Sequence, residues 1–304
     1  MDLTGRKLLV TGATGQVGFA VARALARENR VYGLARLAKP ADRERLAKAG
    51  VEPVAVDLAF GSLDALPDDF DAVLHFAVVK GGDADFDRDL AANAEGTGRL
   101  MAHCRRAKAF LHCSSAAVYR PPGARPAREQ DPLGDNHRAL LPTYSLCKIA
   151  SEAVARFAAR EHGLPTAIAR LSVPYGESGG WPWFHLALMR AGRPIPVHPE
   201  RPNLFNPIHE DDLVAQAPRL LAAASVPALI VNWGGSETVG LESWCAWLGE
   251  LTGLEPRWHE TPDTIASLPL DLTRMHALLG ATRVAWRDGL RRMVEARAPE
   301  LLRR

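Results

Sequence analysis

The chain has 304 residues, a length that fits one large core or a main domain with a smaller appendage, and its 47% hydrophobic and 24% charged content excludes a disordered or fibrous chain. The formal net charge is +2, with acids and bases mixed along the sequence, so no basic field exists to hold a nucleic-acid backbone, and nucleic acid is not an expected partner. No segment has the length and apolarity of a bilayer crossing, and the N-terminal MDLTGRKLLV offers only Leu8, Leu9 and Val10 as an apolar run; a soluble, cytoplasmic protein with no membrane partner is expected. Cys104, Cys113, Cys147 and Cys245 are scattered without metal-ligand spacing, so they read as small buried hydrophobes, and no metal is expected.

In chain order, short apolar runs alternate with amphipathic segments through the first half. KLLVTG, RVYGLAR, EPVAVD, DAVLHFA, AFLHCSS and TAIARLS read as strands, and residues 16–29, 41–49 and 86–108 as crossover helices. That alternation predicts an α/β fold with a doubly wound parallel sheet, a Rossmann fold. After Pro174 the regularity fails in a stretch rich in glycine, proline and tryptophan. The expected organisation is therefore a dinucleotide-binding domain over 1–173 and a mainly substrate-binding region over 174–304, with segments around 206–240 returning to the core. The end of the chain, WRDGLRRMVEARAPELLRR, reads as a terminal helix with a solvated basic face.

Between the first strand and the first helix stands VTGATGQVGF, residues 10–19. Gly12, Gly15 and Gly18 suit a tight turn whose backbone N–H groups approach a pyrophosphate at a helix N-terminus. Their spacing is GxxGxxG, and the order of strand, loop, helix and further βα units supports a dinucleotide site. The second strand ends in Ala35 and Arg36, with Lys39 close behind, where a carboxylate would otherwise hold the adenosine ribose. Cations there favour a 2′-phosphate, so NADP(H) is the preferred cofactor and NAD(H) the alternative. Asp57, ending the third strand before Leu58, is placed either to accept a hydrogen bond from the adenine amino group or to cap the next helix.

A second informative stretch is YSLCK, residues 144–148, opening a helix. The i, i+4 spacing puts Tyr144 and Lys148 on one helix face, where an ammonium that stabilises phenolate would let a tyrosine exchange protons near neutral pH. The fifth strand ends in SSAAVY, residues 114–119, and the C-terminal ends of strands in open α/β sheets face the ligand crevice; Ser115 is thereby expected near Tyr144.

Taken together, TGATGQVG, HFA at 75–77, NAEGTGRLM from Asn93, SSAAVY, YSLCK, PYG at 174–176, NPIHEDDL from Asn206 and DLTRMHALLG from Asp271 make the chain resemble the extended short-chain dehydrogenase/reductases, the group that includes NAD-dependent epimerase/dehydratase proteins. The resemblance covers nearly the whole chain and implies an NAD(P)-dependent enzyme. It implies Tyr144 as acid/base, Lys148 as the residue that holds the nicotinamide ribose and depresses the tyrosine pKa, and Ser115 as a hydrogen-bond donor to the reacting oxygen. Gly12, Gly15, Gln16, Val17 and Gly18 would then lie along the pyrophosphate, with Ala77 and Asn93 lining the cofactor groove. A homodimer paired through the helices beginning near residues 86 and 143 is also implied.

Departures from the family pattern narrow the chemistry. The 4,6-dehydratases place an acidic pair directly after the catalytic Ser or Thr, whereas Ala116 and Ala117 follow Ser115, which disfavours dehydration. The arginines and asparagine with which sugar-nucleotide epimerases clamp a diphosphate are replaced by Phe205, by a stretch carrying Glu260 and Asp263, and by Val173; Arg193 or Arg201 could compensate from another direction. Trp181, Trp183, Phe184, Phe205 and Trp233 make the region aromatic. Val173, Trp181, Trp183, His185 and Phe205 are the substrate-pocket candidates, although most such aromatics individually pack a core. The sequence leans toward an NADP(H)-preferring oxidoreductase that interconverts a ketone or aldehyde and its alcohol on a non-nucleotide small molecule. The alternative is a sugar-nucleotide or sugar epimerase that retains bound NAD. A redox-sensing binding protein would need the cofactor groove but not Ser115, Tyr144 and Lys148 together.

Overall fold

The computed structural model describes residues 3–80 and 85–303. Seven strands form one parallel sheet: β1 (Lys7–Thr11), β2 (Arg30–Ala35), β3 (Val51–Ala55), β4 (Ala72–His75), β5 (Ala109–Ser115), β6 (Thr166–Leu171) and β7 (Leu229–Trp233). Their spatial order is β7-β6-β5-β4-β1-β2-β3, every neighbouring pair parallel. The chain leaves β1 toward β2 and β3, then crosses back to β4. The strand order therefore reverses between β1 and β4, the place where open α/β sheets open a crevice beyond the strand C-termini.

Both faces of the sheet are covered, which is why its strands read as continuous apolar runs. Alternate residues serve opposite layers. Leu8, Val10, Leu74, Leu111, Ala167 and Ala169 join one buried cluster with Val21 of α1 (Gln16–Leu25). Leu9, Val73, Phe110 and Ile168 join the other with Leu100. Helix α2 (Pro40–Lys48) caps the β3 edge. The segment predicted as one helix over 86–108 is α3 (Phe86–Leu90), a wide turn over Ala91–Glu95, and α4 (Gly96–His103), the wide turn accommodating the Asn93 side-chain bonds described below. Helix α5 (Tyr144–Glu161) packs on the same side and supplies Ala155, Ala158 and Ala159, small residues that let it lie close to the strands.

The seventh strand was not among the predicted six. LIVNW is short and sits between Pro227 and Gly234, and it pairs with β6 after a long excursion, so no local pattern announces it. The irregular stretch after Pro174 contains an ordered helix, α6 (Trp181–Arg190), which has Pro182 in its first turn, a position that tolerates a missing N–H. Beyond it lie α7 (Glu210–Ala222), α8 (Leu241–Thr252), α9 (Thr273–Leu279) and α10 (Trp286–Arg297). The terminal helix ends at Arg297 and gives way to a short 3-10 turn at Pro299–Leu301. No helix among the described residues is long and apolar enough to cross a membrane. The four cysteines are free and buried, and no group of three or more His, Cys, Asp or Glu among the described residues is arranged to hold a metal.

Candidate active site

The glycine loop joins β1 to α1 at the reversal point. Gly12 has φ +65°, a left-handed conformation, and a Cβ there would stand 2.7 Å from the Ala77 nitrogen. Gly18 has an ordinary conformation but faces the loop so closely that a Cβ would stand 2.3 Å from the Gly12 carbonyl oxygen. The first turn of α1 has Gly15 as N-cap, no side-chain cap and no acidic residue, so its N–H groups are left to an anion. These features fit the pyrophosphate of a dinucleotide.

Neighbouring groups hold the loop in place. The Thr11 hydroxyl bonds His75 Nδ1 at 2.6 Å and accepts from the Ala77 N–H at 3.2 Å, tying the ends of β1 and β4 together. Gln16 donates to the carbonyls of Pro174 (3.0 Å) and Gly179 (3.1 Å), which anchors the loop to the second region. Val17 packs against the core. Asn93 is buried and its amide is fully engaged: it accepts from Val79 N–H and donates to the carbonyls of Val79 and Asp89. It therefore shapes the chain after β4 beside Ala77. Asp57 accepts from the Ala59 N–H at 2.9 Å in a turn that no helix follows. Leu58 is buried under Gly96, and Arg99 clasps this turn through the carbonyls of Leu58, Ala59 and Gly61. Arg36 stands exposed just beyond β2, and Lys39 is exposed at the N-cap of α2.

The catalytic candidates converge where β5 ends and α5 begins. Ser115, the last residue of β5, accepts from the Ala117 N–H at 3.2 Å, leaving its own O–H to donate. Ala116 and Ala117 are buried in the short turn that follows, so no carboxylate stands there. Tyr144 opens α5, half-buried, with Ser115 close to its phenol. Burial pushes the phenol up to about 12, and the Ser115 hydroxyl pulls the other way. The family resemblance implies the reverse, a phenol depressed by Lys148. Here the buried Lys148 ammonium donates to the Cys113 carbonyl at 2.7 Å, and burial lowers its own pKa. Removal from water is the largest influence on the tyrosine.

Two groups near Tyr144 lay outside the sequence reading. The Lys80 ammonium stands 5.7 Å from the centre of the tyrosine ring, and the His137 ring is 5.6 Å from it. Burial, then Lys80, pulls His137 down to about 4, so its imidazole is neutral near pH 7. Both sit in connections without periodic pattern, and only the spatial neighbourhood of Tyr144 singles them out.

The pocket candidates divide. Trp181, His185 and Phe205 form one aromatic cluster with Trp244: Trp181 lies 5.0 Å from both His185 and Phe205, and the Trp244 indole donates to His185 Nδ1 at 2.9 Å. Burial pulls His185 down to about 3, and its Nδ1 is an acceptor, which assigns the ring proton to Nε2. Phe205 is 3% exposed and half-buried Trp181 forms the rim. Trp183 is apart, under the Arg297 guanidinium at 4.4 Å, because residues two apart on α6 face different ways. Trp233 is wholly buried with its indole donating to Gln216, and Phe184 is exposed. Val173 is buried and its carbonyl accepts from Ile208 N–H. Arg201 pairs with Glu260 at 3.3 Å, and Arg193 is exposed.

A doubly wound parallel sheet with a glycine loop at its reversal point, and serine, tyrosine and lysine gathered at the end of β5, defines an enzyme of the extended short-chain dehydrogenase/reductase type. The chain belongs to the NAD dependent epimerase/dehydratase family, which it matches over residues 8–191. Among solved structures it is similar to UDP-glucuronic acid 4-epimerase from Bacillus cereus, seen with UDP-glucuronic acid and NAD, at 20% identity over 95% of this chain and 98% of that one, with a TM-score of 0.81. It is also similar to DesIV, a dTDP-glucose 4,6-dehydratase from Streptomyces venezuelae seen with NAD, at 24% identity over 95% and 96% of the two chains, with a TM-score of 0.81. A hybrid PKS-NRPS synthetase, tasS, from Hapsidospora irregularis is 30% identical over 171 residues, which are 53% of this chain and 4% of that protein. The chain thus spans a small fraction of that relative's length.

Proposed function

We propose that the protein oxidises and re-reduces a secondary-alcohol carbon of a sugar or sugar nucleotide while retaining bound NAD, an epimerase-type reaction. The observation that carries this is the Ser115–Tyr144 contact at the end of β5, with Lys148 one helical turn on. When bound, the nicotinamide supplies and accepts the hydride. Tyr144 exchanges the proton of the reacting hydroxyl, and Ser115 donates a hydrogen bond to the same oxygen. A phenol raised by burial stays protonated, so it can give its proton to the more basic alkoxide formed in the reductive half, and the oxidative half needs the Lys148 charge to stabilise the phenolate. The apolar Ala116–Ala117 turn lacks the acids that would drive loss of water, which favours epimerisation over dehydration. Sugar-nucleotide chemistry with NAD in the structural relatives supports the same choice.

A second reading is favoured by two specific observations. Phe205 and Val173 are buried and apolar where a diphosphate clamp would stand, and exposed Arg36, rather than a carboxylate, follows β2. These suit net NADP(H)-linked reduction of a non-nucleotide ketone or aldehyde, or oxidation of its alcohol. In both readings we assign residues 1–173 to the dinucleotide and 174–304 mainly to the substrate. The exposed apolar face of α5, carrying Leu146 and Phe157, is assigned to a homodimer contact. The test is to strip the protein of nucleotide, titrate it with NADH and NADPH by fluorescence, and offer UDP-glucuronic acid, UDP-glucose and a panel of simple ketones. A new sugar epimer without net change at 340 nm supports the first reading; NADPH consumption by a simple ketone alone supports the second.

A further inference from the structure

Three successive residues of β5 each bond α5 through a polar group in an otherwise apolar interface. His112 Nε2 lies 3.0 Å from the Ser151 hydroxyl, the Cys113 carbonyl accepts from the Lys148 ammonium at 2.7 Å, and the Ser114 hydroxyl donates to Glu152 at 2.5 Å. Glu152 follows Lys148 by four residues, as Lys148 follows Tyr144, so the three share one stripe of the helix. The Glu152 carboxylate is gripped again by Arg170, which donates through Nε at 2.9 Å and Nη2 at 2.7 Å in a two-pronged pair. Ser114 and Arg170 are paired positions in β5 and β6. Both members of the ion pair are 3% exposed.

A buried ion pair is a weak source of net stability, because desolvating two charges offsets most of their attraction, and apolar residues of similar shape often stabilise as well. Directional bonds do what apolar contacts do not: they select one rotation and one translation of the helix against the strand. Arg170 extends the constraint, donating to the Glu129 carbonyl at 3.0 Å and lying 4.8 Å over the Tyr119 ring, while Tyr119 bonds Asn232 of β7. The carboxylate is thus referenced to the strand that ends in Ser115.

We propose that Glu152, clamped by Ser114 and Arg170, is a positioning residue that sets the register of α5 on β5 and so places Lys148 and Tyr144 relative to Ser115. The inference rests on the proposed function and on Lys148 holding the nicotinamide ribose, the role the family resemblance implies for it. Its test is the triple variant Ser114→Ala, Glu152→Leu, Arg170→Met, which removes all three partners and leaves no unpaired charge between them. Expected are a cooperative melt close to that of the unmodified protein and NADH binding, read by fluorescence, weakened about tenfold. Lys148→Met added to the triple variant is expected to cost clearly less than Lys148→Met alone, because a positioning group acts through the lysine. Full additivity, or unweakened NADH binding in the folded triple variant, overturns the inference. Should the triple variant fail to melt cooperatively, Glu152→Asp keeps the charge but shortens the reach, and a folded Glu152→Asp protein with unchanged NADH affinity overturns it equally. If the unmodified protein itself binds no NADH, the failure belongs to the proposed function.

Discussion

Replacing Gly18 by alanine isolates the role of the glycine loop. The added Cβ would lie 2.3 Å from the Gly12 oxygen and 2.8 Å from the Gly12 carbon, both backbone atoms that cannot rotate away. Ordinary contact lies near 3.4 Å, so the loop must shift by about 1 Å, the displacement at which positioning losses become large, on the order of a hundredfold. Overpacking of this kind costs about 1–3 kcal/mol, and at roughly 2–4 °C per kcal/mol the melting temperature falls by about 2–12 °C. Gly15→Ala is the control, since its Cβ would stand 3.1 Å from the same oxygen and its φ of −79° suits any residue. Calorimetry and NADH fluorescence titration of both variants read the two effects. A folded Gly18→Ala protein that binds NADH as tightly as the unmodified one would refute the assignment of this loop to the pyrophosphate.

Three further outcomes are expected. Tyr144→Phe should lower turnover by about 10²–10⁴ while melting within a few degrees of the unmodified protein, because the change removes one hydroxyl at a half-buried position and keeps the ring. Arg36→Ala should weaken NADPH about ten- to a hundredfold and leave NADH unaffected if the exposed guanidinium meets a 2′-phosphate; equal losses for both cofactors speak against that role. His75 and His185 are held neutral by burial, each at about 3, and His112 well below its ordinary value. Their native pKa values lie below the unfolded value of about 6.5, so the stability they contribute is present above pH 6.5 and is lost as pH falls toward 3. At pH 4.5 His75 and His185 each cost up to about 2.7 kcal/mol, which urea melts across pH 4.5–7 will show as a steep acid-side decline; flat stability over that range contradicts their burial.

Much of this molecule was legible in its sequence because the features concerned are local. The glycine loop declares itself through backbone sterics, six strands through unbroken apolar runs, and the Tyr144–Lys148 pair through helical spacing. What escaped depends on distant partners. β7 acquires meaning only beside β6, and His137 and Lys80 only beside Tyr144. The grip of Ser114 and Arg170 on Glu152 joins three elements. The aromatics after Pro174 were grouped by composition, yet α6 separates them: Trp181 and His185, four apart, share a face, and Trp183 does not. Spacing would have separated them had the helix start been visible behind Gly180 and Pro182. Spacing reports the ammonium four residues from Tyr144 but not the burial that sets the direction of its shift.

The proposed reaction is hydride exchange at a sugar carbon by a retained cofactor, with Tyr144 handling the proton. The most direct measurement incubates the NAD-loaded protein with UDP-glucuronic acid or UDP-glucose and follows the sugar by NMR and the cofactor at 340 nm, beside Tyr144→Phe. A new epimer formed without net absorbance change, and absent with Tyr144→Phe, is the predicted result. Unaltered sugar nucleotides together with steady NADPH consumption by a simple ketone would contradict it.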